Sequence, residues 1–381
     1  MLAYLLTDAW VPPSSLLAKI CRRGSSLAER FHDTLPDARV KAFNSSLVAF
    51  EVLARARRLR GWTRIIARNR WFQRKVVSFL RSQLSTINYQ PILLSYSYTA
   101  LEPFRYAKAH GWKTLLVQID PGPEEEAIVA QEAARVRELA AGWQPAPSEY
   151  WALWREECKL ADRIVVNSEW SREALVRRGV PREKTSVIPL AYEVIRLPDH
   201  DTTRPQEREY PDRFTFERPM RVLFLGLINL RKGVARLLEA ARILRDEPVE
   251  FWMVGPVEIA HASAIGNAGR VKWCGPVTRD VFILPTLSDG FAITQLEAQA
   301  HGLPVIASEF CGKVVDNGRN GIVLEEPTAA CIAAAVRDCL ADADRLRKLA
   351  AASRLRAEFT IEALAEQLQK VGAALWNPSH Q

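Results

Sequence analysis

Two carboxylates eight residues apart, Asp289 and Glu297, mark the part of this chain best suited to chemistry. After the apolar run 281–285 the chain reads Thr286-Leu287-Ser288-Asp289-Gly290-Phe291-Ala292-Ile293-Thr294-Gln295-Leu296-Glu297. This is a glycine loop feeding a helix, with Asp289 on the loop and Glu297 in the first turns. Thr294 is predicted to cap that helix and Gly302 to stop it. The amides of Gly290, Phe291, Ala292 and Ile293 would then point their N–H groups at an anion, with the helix dipole behind them and both carboxylates beside it. A second candidate follows the run 221–225, where the chain reads Gly226-Leu227-Ile228-Asn229-Leu230-Arg231-Lys232-Gly233. A glycine turn at a strand end lets backbone come close to a ligand, and a lysine there adds a point charge, so Lys232 reads as a diphosphate contact.

The elements that must position these residues follow from periodicity. Short apolar runs at 2–6, 91–95, 114–119, 163–166, 184–188, 221–225, 250–254, 281–284 and 304–307 alternate with helical patterns, which predicts an α/β chain of doubly wound parallel sheets. A polar passage at 192–219 with Pro198, Pro205 and Pro211 reads as an interdomain linker. We therefore expect an amino-terminal Rossmann-like domain over 1–195 and a carboxy-terminal Rossmann-like domain over 196–360, which the resemblance described below makes the acceptor-binding and the nucleotide-sugar-binding domain respectively. The amphipathic helix in 361–381 is expected to cross back onto the first domain. Ligands of open parallel sheets bind beyond the carboxyl ends of the strands, so two such sheets facing across a cleft would put donor on one wall and acceptor on the other.

Taken together, these segments resemble the Glu-x7-Glu signature of retaining family 4 glycosyltransferases of the GT-B fold. The usual form of that signature is Glu-Gly-Phe-Gly, a Leu-Glu-Ala helix and a Gly-x-Pro-Val-Ile strand. Arg231-Lys232-Gly233 resembles the family's phosphate lysine turn, and Val315-Asp316-Asn317-Gly318-Arg319-Asn320-Gly321-Ile322 its later glycine turn. In the first half, Ala161-Asp162-Arg163-Ile164-Val165-Val166-Asn167-Ser168 and Val187-Ile188-Pro189-Leu190 match its strand ends. The resemblance covers roughly 91–375.

It implies that Glu297 bonds the donor ribose, Asp289 holds a sugar hydroxyl and Lys232 neutralises the departing diphosphate. Charge developing on the leaving oxygens can be stabilised by a fixed cation and helix-end amides without a metal. No DxD-like pair lies in a suitable loop, so neither metal nor cofactor is expected beyond a UDP-, GDP- or dTDP-type sugar donor.

The departures from the family pattern are specific. Asp289 is one methylene shorter than the usual Glu, and Leu227 stands where relatives carry an arginine, with Arg231 a possible substitute. Gln118-Ile119-Asp120-Pro121-Gly122-Pro123 replaces the usual strand-end histidine. Asp120 then has three readings: base toward the acceptor hydroxyl, orienter of the donor sugar, or cap of its own turn. The amino-terminal glycine pair appears as Pro12-Pro13-Ser14-Ser15. The passage Gly275-Pro276-Val277-Thr278-Arg279-Asp280-Val281 is shorter than the helix-bearing connection of relatives.

Composition narrows the remaining choices. The chain has 381 residues, 48% of them hydrophobic and 25% charged, as expected of a soluble α/β protein. The six cysteines, Cys21, Cys158, Cys274, Cys311, Cys331 and Cys339, are scattered as buried free thiols of a reducing compartment would be. No long apolar span or signal peptide is read, so a cytoplasmic protein is expected, with the inner face of a membrane as the alternative place for a peripheral one.

The net charge of +8 concentrates in a stretch, 52–101, that holds no Asp or Glu. Arg57, Arg60, Arg64 and Arg68, interleaved with apolar residues, suit a basic amphipathic helix resting on anionic lipid or on a charged glycan or lipid-linked acceptor; the alternative is a solvated face. Without a recognised binding motif the charge does not imply nucleic acid. His110, His261 and His301 read as structural or surface groups. Beside the transferase, two other readings stand: an inactive nucleotide-sugar-binding protein, and a GT-B epimerase.

Overall fold

The computed structural model describes residues 4–12, 31–32, 35, 39–83, 91–193, 209–260, 271–273 and 279–376. Pro13-Ser14-Ser15, Cys21, His261, Cys274, residues 275–278, and Pro198 and Pro205 of the linker lie outside the described residues. By its contacts the chain divides into two compact units, one of Met1–Leu116 with Ala146–Asp162 and one of Val117–Pro145 with Arg163–Gln381.

The second unit is built on a six-stranded sheet of β7 (Met220–Leu225), β8 (Val249–Val254), β9 (Val271–Trp273), β10 (Val281–Leu284), β11 (Val305–Ser308) and β12 (Gly321–Leu324). Its order is β12-β11-β10-β7-β8-β9, with every pairing parallel. From β7 the chain winds outward through β8 and β9, then returns to the other side of β7 for β10, β11 and β12. The switch point therefore lies between β7 and β10, where open parallel sheets bind ligands. Burial explains the sequence of the central strands. Val-Phe-Ile-Leu of β10 and Val-Ile-Ala-Ser of β11 are buried throughout, as expected of strands covered on both faces.

Helices Val234–Ile243 and Ala329–Ala341 feed Leu237, Leu238, Ile332 and Val336 into the core formed by Phe224, Phe251, Phe282 and Ile306. Helix Pro123–Arg135 joins the same core through Val129 and Ala133. It is further tied to helix Val234–Ile243 by Glu132–Arg236 and Arg135–Glu239. In the same unit β5 (Arg163–Val166) pairs in parallel with β6 (Thr185–Val187).

The first unit holds the parallel pair β1 (Leu5–Thr7) and β2 (Val40–Ala42), strand β3 (Ile92–Tyr96), and the start of β4 (Lys113–Gln118). The basic stretch is not one helix. Asn44–Ala56 ends in Arg58 at φ 54°, and Gly61 at φ 48° opens Gly61–Gln83; left-handed residues stop the first helix and re-aim the chain. Nor does the stretch stand apart from acidic partners. Arg68 bonds Asp8 (2.6 Å) and Glu51 (3.4 Å), Arg64 bonds Glu51 and Arg70 bonds Glu149. Arg57 and Arg60 remain exposed and make no ion pair with a described residue.

Among the described residues no helix is long and apolar enough to cross a membrane. Cys158, Cys311 and Cys339 are buried free thiols, whereas Cys331, on the outer face of its helix, is exposed, contrary to expectation. β2, β9 and β12 are strands that periodicity did not predict; two of them are only three residues long.

Candidate functional site

The loops after β7 and β10 are stitched together at the switch point. The Arg231 carbonyl accepts the Leu287 N–H (2.8 Å) and the Thr286 hydroxyl (3.1 Å). Gly233 sits at φ 71°, where a Cβ would stand 1.9 Å from the Pro285 carbonyl oxygen, so only glycine lets the first loop lie against the end of β10. Gly226, at φ 142°, has nothing within 4 Å of the position a Cβ would take. The Cβ side of Gly226 at the strand end therefore faces open space. Asn229 Oδ1 accepts the Lys232 N–H (3.1 Å) and shapes the turn that carries the lysine.

Asp289 is the hub. Its Oδ2 receives both Lys232 Nζ and Arg231 Nη1, the latter at 2.8 Å, and its Oδ1 accepts the Phe291 N–H (3.2 Å). Burial pushes this carboxyl up, but the charges of Lys232 and Arg231 outweigh it and hold Asp289 below the ordinary carboxylate range. The loop is clamped on its other side too. Trp170 Nε1 donates to Ser288 Oγ (3.0 Å), Ser171 Oγ donates to the Gly290 carbonyl (3.2 Å), and Gly290 lies against the backbone of Ile119. Beside Ile119 stands Asp120, whose Oδ1 accepts the Gly122 N–H (2.8 Å) and the Gln118 amide (3.0 Å). The turn-capping role of Asp120 is thus real, and the same carboxylate acts electrostatically on Arg231.

Of the predicted residues, the fold assembles Asp120, Arg231, Lys232, Asp289 and Gly290. Glu297 is half-buried on helix Thr294–Ala300, where its carboxylate acts on Tyr192. Burial raises the Glu297 carboxyl and nearby His301 opposes the rise.

Two local expectations are corrected. Thr294 does not cap its helix: Ile293 holds the cap position, Ala292 turns at φ 65°, and the Thr294 hydroxyl is buried without a partner. Gly302 does stop the helix, at φ 67°. The Phe291 N–H is not left open for a ligand, because it donates to the Asp289 carboxylate, and the Phe291 ring packs inward on Leu296, Val314 and Phe359. Arg231, like Lys232, is held by Asp289, and its Nε lies 3.6 Å from Glu125.

Glu125 is the residue that sequence reasoning missed. It enters from the first turn of helix Pro123–Arg135, with Oε1 3.6 Å from Arg231 Nε, and the Ser288 side chain hydrogen-bonds its carboxyl. Among the described residues no group of three or more His, Cys, Asp or Glu is arranged to hold a metal ion.

An α/β chain of parallel sheets with a paired cation and carboxylate site at the switch point has the GT-B fold, and solved structures share it. Sucrose-phosphate synthase from Thermosynechococcus elongatus superposes with a TM-score of 0.62, covering 81% of this chain and 79% of that one at 21% identity. HepE from Anabaena, in complex with UDP, gives 0.60 over 98% and 100% at 16% identity. Residues 219–342 match the family of glycosyl transferases group 1, a span that contains Gly226, Arg231, Lys232, Asp289 and Glu297.

Among relatives, the D-inositol 3-phosphate glycosyltransferase of Geodermatophilus obscurus is 29% identical over 259 residues, 60% of this chain and 56% of the relative. The amylovoran biosynthesis glycosyltransferase AmsK of Erwinia amylovora is 25% identical over 236 residues, 55% of each chain. The chain thus spans about half the length of the curated relatives it matches.

Proposed function

We propose that the chain is a glycosyltransferase that moves a sugar from a nucleoside diphosphate sugar to a cell-surface glycan or glycolipid acceptor, with retention of anomeric configuration and without a metal ion. The observation that carries this reading is the pair Arg231 and Lys232, held by the buried Asp289 at the β7/β10 switch point, inside the segment that matches glycosyl transferases group 1. A UDP-type donor is favoured by HepE, whose structures contain UDP and UDP-glucose. A polysaccharide acceptor is favoured by AmsK, whose name assigns it to amylovoran biosynthesis.

In the reaction the bond from the anomeric carbon to the diphosphate oxygen breaks, a bond to the acceptor oxygen forms, and the acceptor hydroxyl loses its proton. Negative charge grows on the departing diphosphate. Lys232 and Arg231 are already oriented by Asp289, so they stabilise that charge with little reorganisation. On this reading Asp289 and Asp120 orient sugar hydroxyls and Glu297 binds the ribose.

The test is incubation with UDP-, GDP- and dTDP-sugars and glycan or lipid-linked acceptors, following free nucleoside diphosphate and the anomeric configuration of the product. Binding without release would favour a second reading, an inactive nucleotide-sugar-binding protein. Leu227 motivates that reading: it is exposed where the family resemblance implies an arginine. A rearranged donor sugar with no transfer would point to an epimerase.

A further inference from the structure

Glu125 has the marks of a ligand-facing group left unfinished by the fold. The first turn of helix Pro123–Arg135 carries Glu124, Glu125 and Glu126. Glu124 turns to Arg177 and Arg178, while Glu125 turns to the Arg231 and Asp289 cluster. Its side chain is 14% exposed, yet Oε2 is buried with no hydrogen-bond partner. Buried polar atoms are ordinarily paired, so an orphan carboxyl oxygen beside the Arg231 guanidinium asks for an external partner.

We propose that Glu125 is a proton-linked member of the donor site, a carboxylic acid that keeps its proton when a diphosphate sits on Arg231 and Lys232 and whose free oxygen meets the bound donor. This rests on the donor-site reading given above. The charges that act on Glu125 come from Arg231 on the loop after β7, Asp120 on the turn before its helix and Asp289 on the loop after β10; Lys232 pairs with Asp289, and Glu124 turns away to Arg177 and Arg178.

With Glu125 neutral, the two carboxylates Asp120 and Asp289 balance the two cations. With it ionised, the cluster carries a net negative charge and repels an arriving diphosphate. Burial, opposed by Arg231 and joined by Asp120 and Asp289, pushes the Glu125 carboxyl up to about 8. Below that pH the proton is already in place. Above it the donor must draw a proton from solvent, and affinity falls by up to about tenfold per pH unit.

The experiment is calorimetric titration of the full chain with UDP-glucose, GDP-mannose and dTDP-glucose from about pH 6.5 to 9, repeated in two buffers of different ionisation enthalpy. The expected result is an affinity that is flat to about pH 8 and then weakens toward tenfold per unit, with proton uptake on binding and with the slope lost in Glu125→Gln. A wild-type affinity that does not change above pH 8, or a slope that survives in Glu125→Gln, overturns the role of Glu125 and leaves the donor site standing. Failure of all three sugars to bind wild type at any pH overturns the donor site and this inference with it.

Discussion

Gly290 lies so close to Ile119 that a Cβ added to it would stand 2.2 Å from the Ile119 carbonyl oxygen. This approach brings the Asp120 turn onto the loop that carries Asp289. The obstacle is backbone, which has no rotamer to change, so Gly290→Ala must push the two loops apart. The substitution should cost about 1–3 kcal/mol of stability, the scale of overpacking, and should weaken donor binding as well. Chemical denaturation and nucleotide-sugar titration of the same variant measure both; an alanine that is tolerated without loss would show that the approach is not needed.

Asp289→Asn leaves the buried Lys232 without its charged partner and takes from Arg231 the nearer of its two carboxyl neighbours. Breaking a buried pair from one side costs about 3–5 kcal/mol, so this variant should be among the least stable at the site. Because the folded-state Asp289 carboxyl is held below its ordinary value, its contribution is present above pH ~4 and is lost as pH falls through and below that range. Acid titration of stability should therefore be flatter in Asp289→Asn than in wild type. Parallel acid limbs would remove Asp289 from the account.

Much of this site was legible because its parts lie close together in sequence. Gly226, Lys232, Asp289 and Gly302 each sit at a strand or helix end that period and glycine placement mark. What could not be read depended on distant partners. Arg64 and Arg68 look unopposed in a stretch without acids, yet Glu51 and Asp8 reach them from outside it. Glu125 looks like one of three acids complementing a helix dipole, and only the packing of that helix on the second unit's core turns it to Arg231. The misread cap at Thr294 arose because Ala292 adopts a left-handed turn that nothing in its side chain announces.

Glu297 and Asp120 test the two more exposed carboxylates. Glu297→Ala removes a half-buried group outside the main core and should leave stability within about 0.5 kcal/mol while abolishing most transfer. Asp120→Asn keeps an oxygen for the Gly122 N–H and removes the charge, so turnover should fall at least ~100-fold with little change in melting. Normal transfer in either variant would return that residue to a structural role.

The basic helices separate into two groups. Arg57→Gln and Arg60→Gln, which leave no described ion pair broken, should weaken binding to anionic vesicles by about 1 kcal/mol each, and added salt should mimic the loss. Arg64→Gln and Arg68→Gln remove pairs to Glu51 and Asp8 and should instead cost about 0.2–1 kcal/mol of stability. Vesicle binding that ignores Arg57 and Arg60 would leave that face merely solvated.

The central claim is that Lys232, set by Asp289, stabilises the leaving diphosphate. Its most direct test is the rate of nucleoside diphosphate release at saturating donor and acceptor, compared between wild type and Lys232→Ala. The account predicts a loss of about 2–4 kcal/mol in transition-state stabilisation, roughly 30- to 1,000-fold in rate. An unchanged rate in a folded Lys232→Ala protein would contradict it.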